Sequence, residues 1–175
     1  QEPSDNSSPL LGNLRTDFGG LFYNIEDTLQ INTIIKNENV RQLIPNNIKF
    51  LWSVKPLSSI TDANGQVTDI DGEVIELFVI RTSRGGKAPL TGEVITDARQ
   101  DLDQSARPSI SMQMNSNGAK EWRRLTSQNI GRRVAIVLDD FVYSAPFVQN
   151  EIPNGNSQIT GNFTIEEAQD LANIL

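Results

Sequence analysis

The chain has 175 residues, 37% of them hydrophobic and 21% charged, with a formal net charge of −7. That composition suits a folded domain with one hydrophobic core or two small ones, and it excludes a disordered chain. The acidic balance argues against general nucleic-acid binding and against docking on an anionic membrane surface. The lack of cysteine and histidine removes thiolate zinc sites, disulfides and the commonest general base near neutral pH.

Residues 1–26 read as a flexible or irregular arm. Gln1–Ser8 is polar, and Leu10, Leu11, Leu14 and Phe18 are placed to dock on the body. A helix is expected from Asp27, an N-cap residue with Gln30 at the capping-box position, and its apolar stripe is Leu29, Ile31, Ile34 and Ile35. A second short helix, Glu38–Ile44, stops at Pro45. Ile48–Leu57 alternates as one strand, 58–73 is turn-rich, and Glu73–Thr82 alternates again, so the two strands are expected to pair as a hairpin with a long loop. Val94–Ala98 is a weaker strand candidate.

From Pro108 the pattern sharpens. Ser109–Met114 alternates with Ile110, Met112 and Met114 inward. A helix capped by Asn115 or Ser116 runs to Asn129, with Gly131 as its stop. Arg133–Leu138 and Phe141–Val148 form a tight hairpin over Asp139-Asp140, and Gln158–Asn162 is a short strand. Thr164 and Glu167 form a capping box for a last helix with Ile165, Ala168, Leu171, Ala172 and Leu175 inward. The order β-α-β-β-β-α over 109–175 predicts an α+β two-layer sandwich of ferredoxin-like flavour, a mixed β-sheet covered by helices. Its first strand and the strand after the helix are expected to be parallel neighbours through a right-handed crossover. Residues 27–175 read as a single domain, divided into 27–104 and 105–175.

No motif rises to a catalytic, metal or cofactor site. The acidic loop 62–73 has Val67 where a calcium loop needs glycine, so it reads as a solvated turn. Arg84-Gly85-Gly86-Lys87 lacks the ending of a phosphate loop. Asp97, Asp101 and Asp103 read as solvated carboxylates, and Glu166 and Glu167 as helix-start residues favoured by the dipole. Arg123, Arg124, Arg132 and Arg133 surround a helix C-terminus, where cations are also favoured; an anionic partner is the alternative reading. The Asn162 sequon is better explained by Thr164 as a cap. Met112, Met114 and Trp122 read as core rather than as an adaptable groove.

One resemblance is specific. Asn129-Ile130-Gly131 precedes Val134-Ala135-Ile136-Val137-Leu138-Asp139, then come Val142-Tyr143-Ser144-Ala145-Pro146, Ser157-Gln158-Ile159-Thr160-Gly161, and Glu166-Glu167-Ala168 leading into Asp170-Leu171-Ala172. Upstream stand Ala88-Pro89-Leu90-Thr91-Gly92 and Asp97-Ala98-Arg99. This order and spacing resembles the first periplasmic domain, the head subdomain, of SecD and of fused SecDF proteins. Two departures are local: Asp140 stands where the family usually has glycine, and Asn154-Gly155-Asn156 where it often has paired glycines.

The resemblance implies a non-enzymatic part of a bacterial inner-membrane protein, on the periplasmic side, without cofactor or metal. The implied partners are SecF or a fused SecF half, the SecYEG channel and unfolded preprotein, with no nucleic acid. It implies a mobile domain that holds emerging polypeptide during proton-driven export; the alternative is a rigid module that only positions subunits. The family-motif positions are Asn129, Gly131, Asp139, Ser144, Ala145, Pro146, Gln158, Ile159, Thr160 and Gly161. The chain reads as a piece of a longer protein whose spans lie outside it, with Leu171–Leu175 near a hinge.

Overall fold

A computed structural model describes residues 9–15, 20–61, 67–161 and 163–175, with side chains of 58–61 and 67–72 left aside. The chain falls into two compact units, residues 1–86 with 137–143, and residues 87–136 with 144–175. The seam falls at 86/87, because the strand after Val94 pairs forward in sequence and not back.

In the first unit, α1 (Pro9–Gly12) and β1 (Phe22–Asn24) precede a 3-10 turn, α2 (Thr28–Lys36) and α3 (Glu38–Leu43). Asp27 does not cap α2 through its side chain. It is itself the last residue of the 3-10 turn, with helical φ and ψ of −81° and −11°, so it lacks the extended backbone of a capping residue. The expected single strand over 48–57 is two, β2 (Ile48–Trp52) and β3 (Leu57–Thr61). The break carries Pro56, which has no N–H for a ladder. Both lie antiparallel to β4 (Val67–Arg81), a 15-residue strand that extends well into the stretch expected as loop. On the other edge of β4, β1 is also antiparallel.

Tyr23, Ile31 and Leu77 form the centre of this unit's core, and Leu10, Leu14, Leu21, Ile35, Phe50 and Trp52 pack around them. Leu10 and Leu14 of the arm thus dock as expected, whereas Leu11 is exposed; Gln1–Ser8 and Phe18 lie outside the described residues. Tyr23 and Trp52 meet edge to face at 5.9 Å. Each aromatic polar atom is satisfied: Tyr23 donates to the Leu10 carbonyl and Trp52 Nε1 to Asn32 Oδ1. Burial pushes the Tyr23 hydroxyl's pKa above its ordinary value.

The hairpin of β7 (Ile136–Leu138) and β8 (Phe141–Ser144) turns at Asp139-Asp140, with φ of +49° and +62°. Two left-handed residues make the tight turn expected of a two-residue hairpin loop. Val142 is buried, and its carbonyl accepts from the Val54 N–H at 2.9 Å. Lys49 Nζ lies 4.0 Å from Asp140.

The second unit is a three-stranded sheet, β5 (Ile95–Leu102), β6 (Pro108–Met114) and β9 (Asn156–Thr160), in the order β5-β6-β9. Every pairing in it is antiparallel. The expected parallel crossover from the 109–114 strand to the one after the helix is therefore absent. The segment after α4 (Ser116–Gln128) pairs as the hairpin just described, and β6 finds its neighbours in β5 and β9. The α+β class is the one expected. Helix α5 (Ile165–Ile174) lies against β5 and β6 and buries Ala168, Leu171 and Ala172. Its capping box of Thr164 and Glu167 is complete. Ile165 is exposed rather than part of the stripe. Asn115 caps α4, accepting from the N–H groups of Asn117 and Gly118.

Candidate functional site

The chemistry of the second unit lies on one open sheet face. Ile110, Met112, Met114 and Ile159 are buried. Alternation therefore sends Ser109, Ser111 and Gln113 to the other face, with Asp97, Arg99 and Asp101 from β5 and Asn156, Gln158 and Thr160 from β9 beside them in register, although Ser109 is itself fully buried. Asp97, Arg99, Ser111, Gln113, Asn156 and Gln158 line a shallow open groove of about 460 Å³.

Polar side chains tie this face together across strands. Gln158 Nε2 donates to Ser109 Oγ at 3.1 Å and, across β6, to the Leu102 carbonyl at 3.2 Å. Ser111 Oγ donates to Asp101 Oδ2 at 2.9 Å. The Leu102 N–H, then the Ser111 hydroxyl, hold the Asp101 carboxyl below its ordinary pKa. Asp103 organises the β5–β6 turn, accepting from the backbone N–H groups of Ser105 and Arg107 at 2.8 and 2.9 Å and from the Arg107 guanidinium at 2.8 Å. The Arg107 backbone N–H is the leading cause of its lowered pKa. Asp101 and Asp103, expected as solvated carboxylates, are thus strand and turn fasteners.

The family-motif positions do not converge. Asn129 ends α4, its Nδ2 donating to the Leu125 carbonyl at 2.8 Å. Gly131 has φ +74° and donates its N–H to Val148. The carbonyls of Ala145 and Pro146 accept from Arg133 Nε and the Val134 N–H. Ser144 ends β8 and Asp139 is the exposed hairpin turn. Ile159 is buried in β9, Gln158 fastens the sheet, and Thr160 pairs with Ser109. A Cβ on Gly161 would stand 2.8 Å from the Phe163 ring. Leu171 is buried, and the Leu175 N–H bonds the Leu171 carbonyl. These residues hold loops and register; none faces another across a cleft.

Of the basic patch, Arg123 pairs with Glu151 and Arg124 with Glu121. Met112 and Met114 are core, and Trp122 Nε1 donates to Ser157 Oγ at 2.6 Å. Arg84–Lys87 is a turn with Gly85 and Gly86 at φ +92° and +77°. Residues 62–66 of the acidic loop, and Asn162, lie outside the described residues. Among the described residues no three acidic side chains gather as a metal site, and no helix is long and apolar enough to cross a membrane.

Sequence reasoning anticipated exposed strand edges in general but located neither of two surface features. Ile130 and Phe147 stand 54% and 66% exposed on the paired segments that flank Gly131 and Val148. The outer edge of β9 carries no partner strand among the described residues. Neither has a sequence signature, since exposure is set by what fails to cover a residue.

An open groove on a sheet face, exposed apolar loop residues and a strand edge without a partner among the described residues mark this α+β domain. Residues 60–175 match the family model of the SecDF P1 head subdomain. The chain belongs to that family. It is 40% identical to the protein translocase subunit SecD of Rhodothermus marinus over 99% of this chain and 26% of that one. It is 33% identical to SecD of Sebaldella termitidis over 79% of this chain and 38% of that one. The SecDF translocase subunit of Thermus thermophilus is 37% identical over 68% of this chain and 16% of its own length. The chain therefore spans well under half of each of these relatives. A solved SecDF structure, of a membrane component that enhances protein export, is 30% identical over 77% of this chain and 64% of that chain, with a TM-score of 0.45.

Proposed function

We propose that this domain is a non-catalytic part of a Sec translocase accessory subunit, placed on the periplasmic side of the inner membrane. It assists proton-gradient-driven export by transiently holding unfolded polypeptide as it emerges. Its working partners are the preprotein, SecF or a fused SecF half, and the SecYEG channel. The names of its relatives support the translocase role, and the fused SecDF relative supports the association with SecF.

The carrying observation is the exposure of Ile130 and Phe147 on adjoining paired segments of the second unit. Lone apolar groups on a surface are ordinary. Two on neighbouring segments, one of them a phenylalanine, offer an unfolded chain places to bury apolar side chains briefly. Weak, repeated contact of this kind suits a holder that must release.

The test is made in the full-length membrane protein. Replacing both residues (Ile130→Ser with Phe147→Ser) should reduce crosslinking of an arrested preprotein to this domain and slow export, while the fold is unchanged. Unaltered crosslinking and export would refute the contact role and favour a rigid module that only positions subunits.

A further inference from the structure

The two edges of the β5-β6-β9 sheet differ in a way that bears on what they meet. An open strand edge presents unpaired N–H and C=O groups, and proteins ordinarily guard it with charge, bulges or proline. The β5 edge is guarded. It carries Asp97, Arg99 and Asp101, its register slips between Ile95 and Asp97, and the Leu102 N–H is taken by Asp101 Oδ1 at 2.8 Å. The β9 edge, Asn-Ser-Gln-Ile-Thr, has no charge, no proline and an unbroken register with β6.

The groups that β9 turns outward follow from the ladder. Met114 N–H bonds the Gly155 carbonyl, and the pairs Met112↔Ser157 and Ile110↔Ile159 continue the register. In an antiparallel pair the residues that exchange both bonds alternate with residues that point away. Asn156, Gln158 and Thr160 therefore direct their main-chain groups outward. Asn156 N–H is met by Asn154 Oδ1 at 3.3 Å. Among the described residues no group meets the Gln158 and Thr160 backbones, and the Gln158 side chain borders the polar groove.

We infer that the β9 edge is the acceptor for an extended segment of unfolded polypeptide, which adds as a further strand at Gln158 and Thr160. This rests on the polypeptide-holding reading above and deepens it. Main-chain groups two residues apart are complementary to another extended main chain and to little else. An uncharged edge does not sort chains by charge, and the groove beside it takes polar side chains of the added strand. The contact is thus nearly independent of sequence, as a domain that meets many chains requires.

The experiment uses the full-length protein in membranes with an arrested export intermediate. A photocrosslinker is placed at Asn156, at Thr96 on the guarded edge and outside the groove, and at Phe147. Asn156 should crosslink the intermediate several-fold more than Thr96. Thr160→Pro removes an outward N–H without touching the β6 ladder, a position where an edge strand tolerates proline. It should cut the Asn156 crosslink several-fold, whereas Thr160→Val, which keeps the N–H, should not. Thr160→Lys charges the edge with no backbone change and should act like the proline.

If Phe147 crosslinks while Asn156 stays silent, the edge inference fails and the holding reading stands. If no position crosslinks, both fail. A crosslink from Asn156 to a second copy of the chain, or to another part of the same chain, in place of the intermediate overturns the assignment of occupant. So does equal loss with valine and proline.

Discussion

Gly155 sets how β9 meets α4, and replacing it with alanine meets two separate obstacles. Its φ is +70°, and a Cβ there would lie 2.8 Å from Ala119 Cβ, 3.1 Å from Ala119 Cα and 3.2 Å from Met114 Cβ. The left-handed backbone costs an alanine about 1–2 kcal/mol. Contacts far inside the ordinary carbon separation of about 3.5–4.0 Å add about 1–3 kcal/mol of overpacking, since one of the atoms is backbone. Gly155→Ala should therefore destabilise the second unit by about 2–5 kcal/mol, which at a urea slope near about 2 kcal/mol/M lowers the midpoint by about 1–2.5 M. The chain has two tryptophans, Trp52 in the first unit and Trp122 in the second. In a Trp52→Phe background, fluorescence reports Trp122, whose indole is held by Ser157 two residues beyond Gly155. The two obstacles separate in a double mutant. Ala119→Gly alone costs about 1 kcal/mol of helix propensity. It also removes the Cβ that the new methyl group at position 155 would strike, so the pair should be less destabilised than the sum by about 1–3 kcal/mol. Additivity within about 0.5 kcal/mol would refute the steric half of the reasoning. A Gly155→Ala variant as stable as the parent would refute all of it.

Ala106 has φ +57° in the β5–β6 turn and is exposed, so Ala106→Gly should stabilise the second unit by roughly 0.5–1 kcal/mol in the same urea assay. Leu171→Ala, at a buried position of α5, should cost about 2–5 kcal/mol. Thr164→Ala removes the side-chain half of the α5 capping box and should cost about 1 kcal/mol, with Thr164→Ser recovering most of it. Asp101 and Asp103 have folded pKa values below their unfolded ones, so their contribution is present above about pH 4 and is lost as pH falls through the lowered values. The urea midpoint should fall with acid over that range, and Asp103→Asn should flatten the dependence; an unchanged slope would count against Asp103 as a fastener.

What the sequence made legible is local. The Thr164–Glu167 box, the alternation of Ile110, Met112 and Met114, the Asn115 cap and the Asp139-Asp140 turn all depend on residues within a few positions of one another. The misreadings are non-local. Alternation marks 136–138 and 141–144 as strands but says nothing of which strand they adjoin, and the Val54–Val142 bond joins residues far apart in sequence. Pro56 is plain in the sequence, yet its effect on the 48–57 run depends on whether the N–H at that point is needed for the β4 ladder. Asp27 fails as a cap because a 3-10 turn, which no sequence signal marks, already occupies the preceding residues.

The motif residues are readable as a family mark and uninformative about contact, for a physical reason. Asn129, Gly131, Asp139 and Gly161 meet needs of the backbone itself: a helix end, positive φ, a two-residue turn and close ring packing. Such needs can be met by few residue types, so they leave a recognisable pattern. A surface that accepts chains of many sequences has the opposite requirement. Its useful groups are main-chain N–H and C=O, which every residue but proline supplies alike, and apolar side chains whose identity matters less than their exposure. At Thr160, one of the positions that carry the resemblance, the backbone N–H faces outward, and Thr160→Val removes the hydroxyl while keeping that N–H. If export tolerates valine at 160 and not proline, the functional chemistry of that position is carried by the one part of it that no sequence motif records.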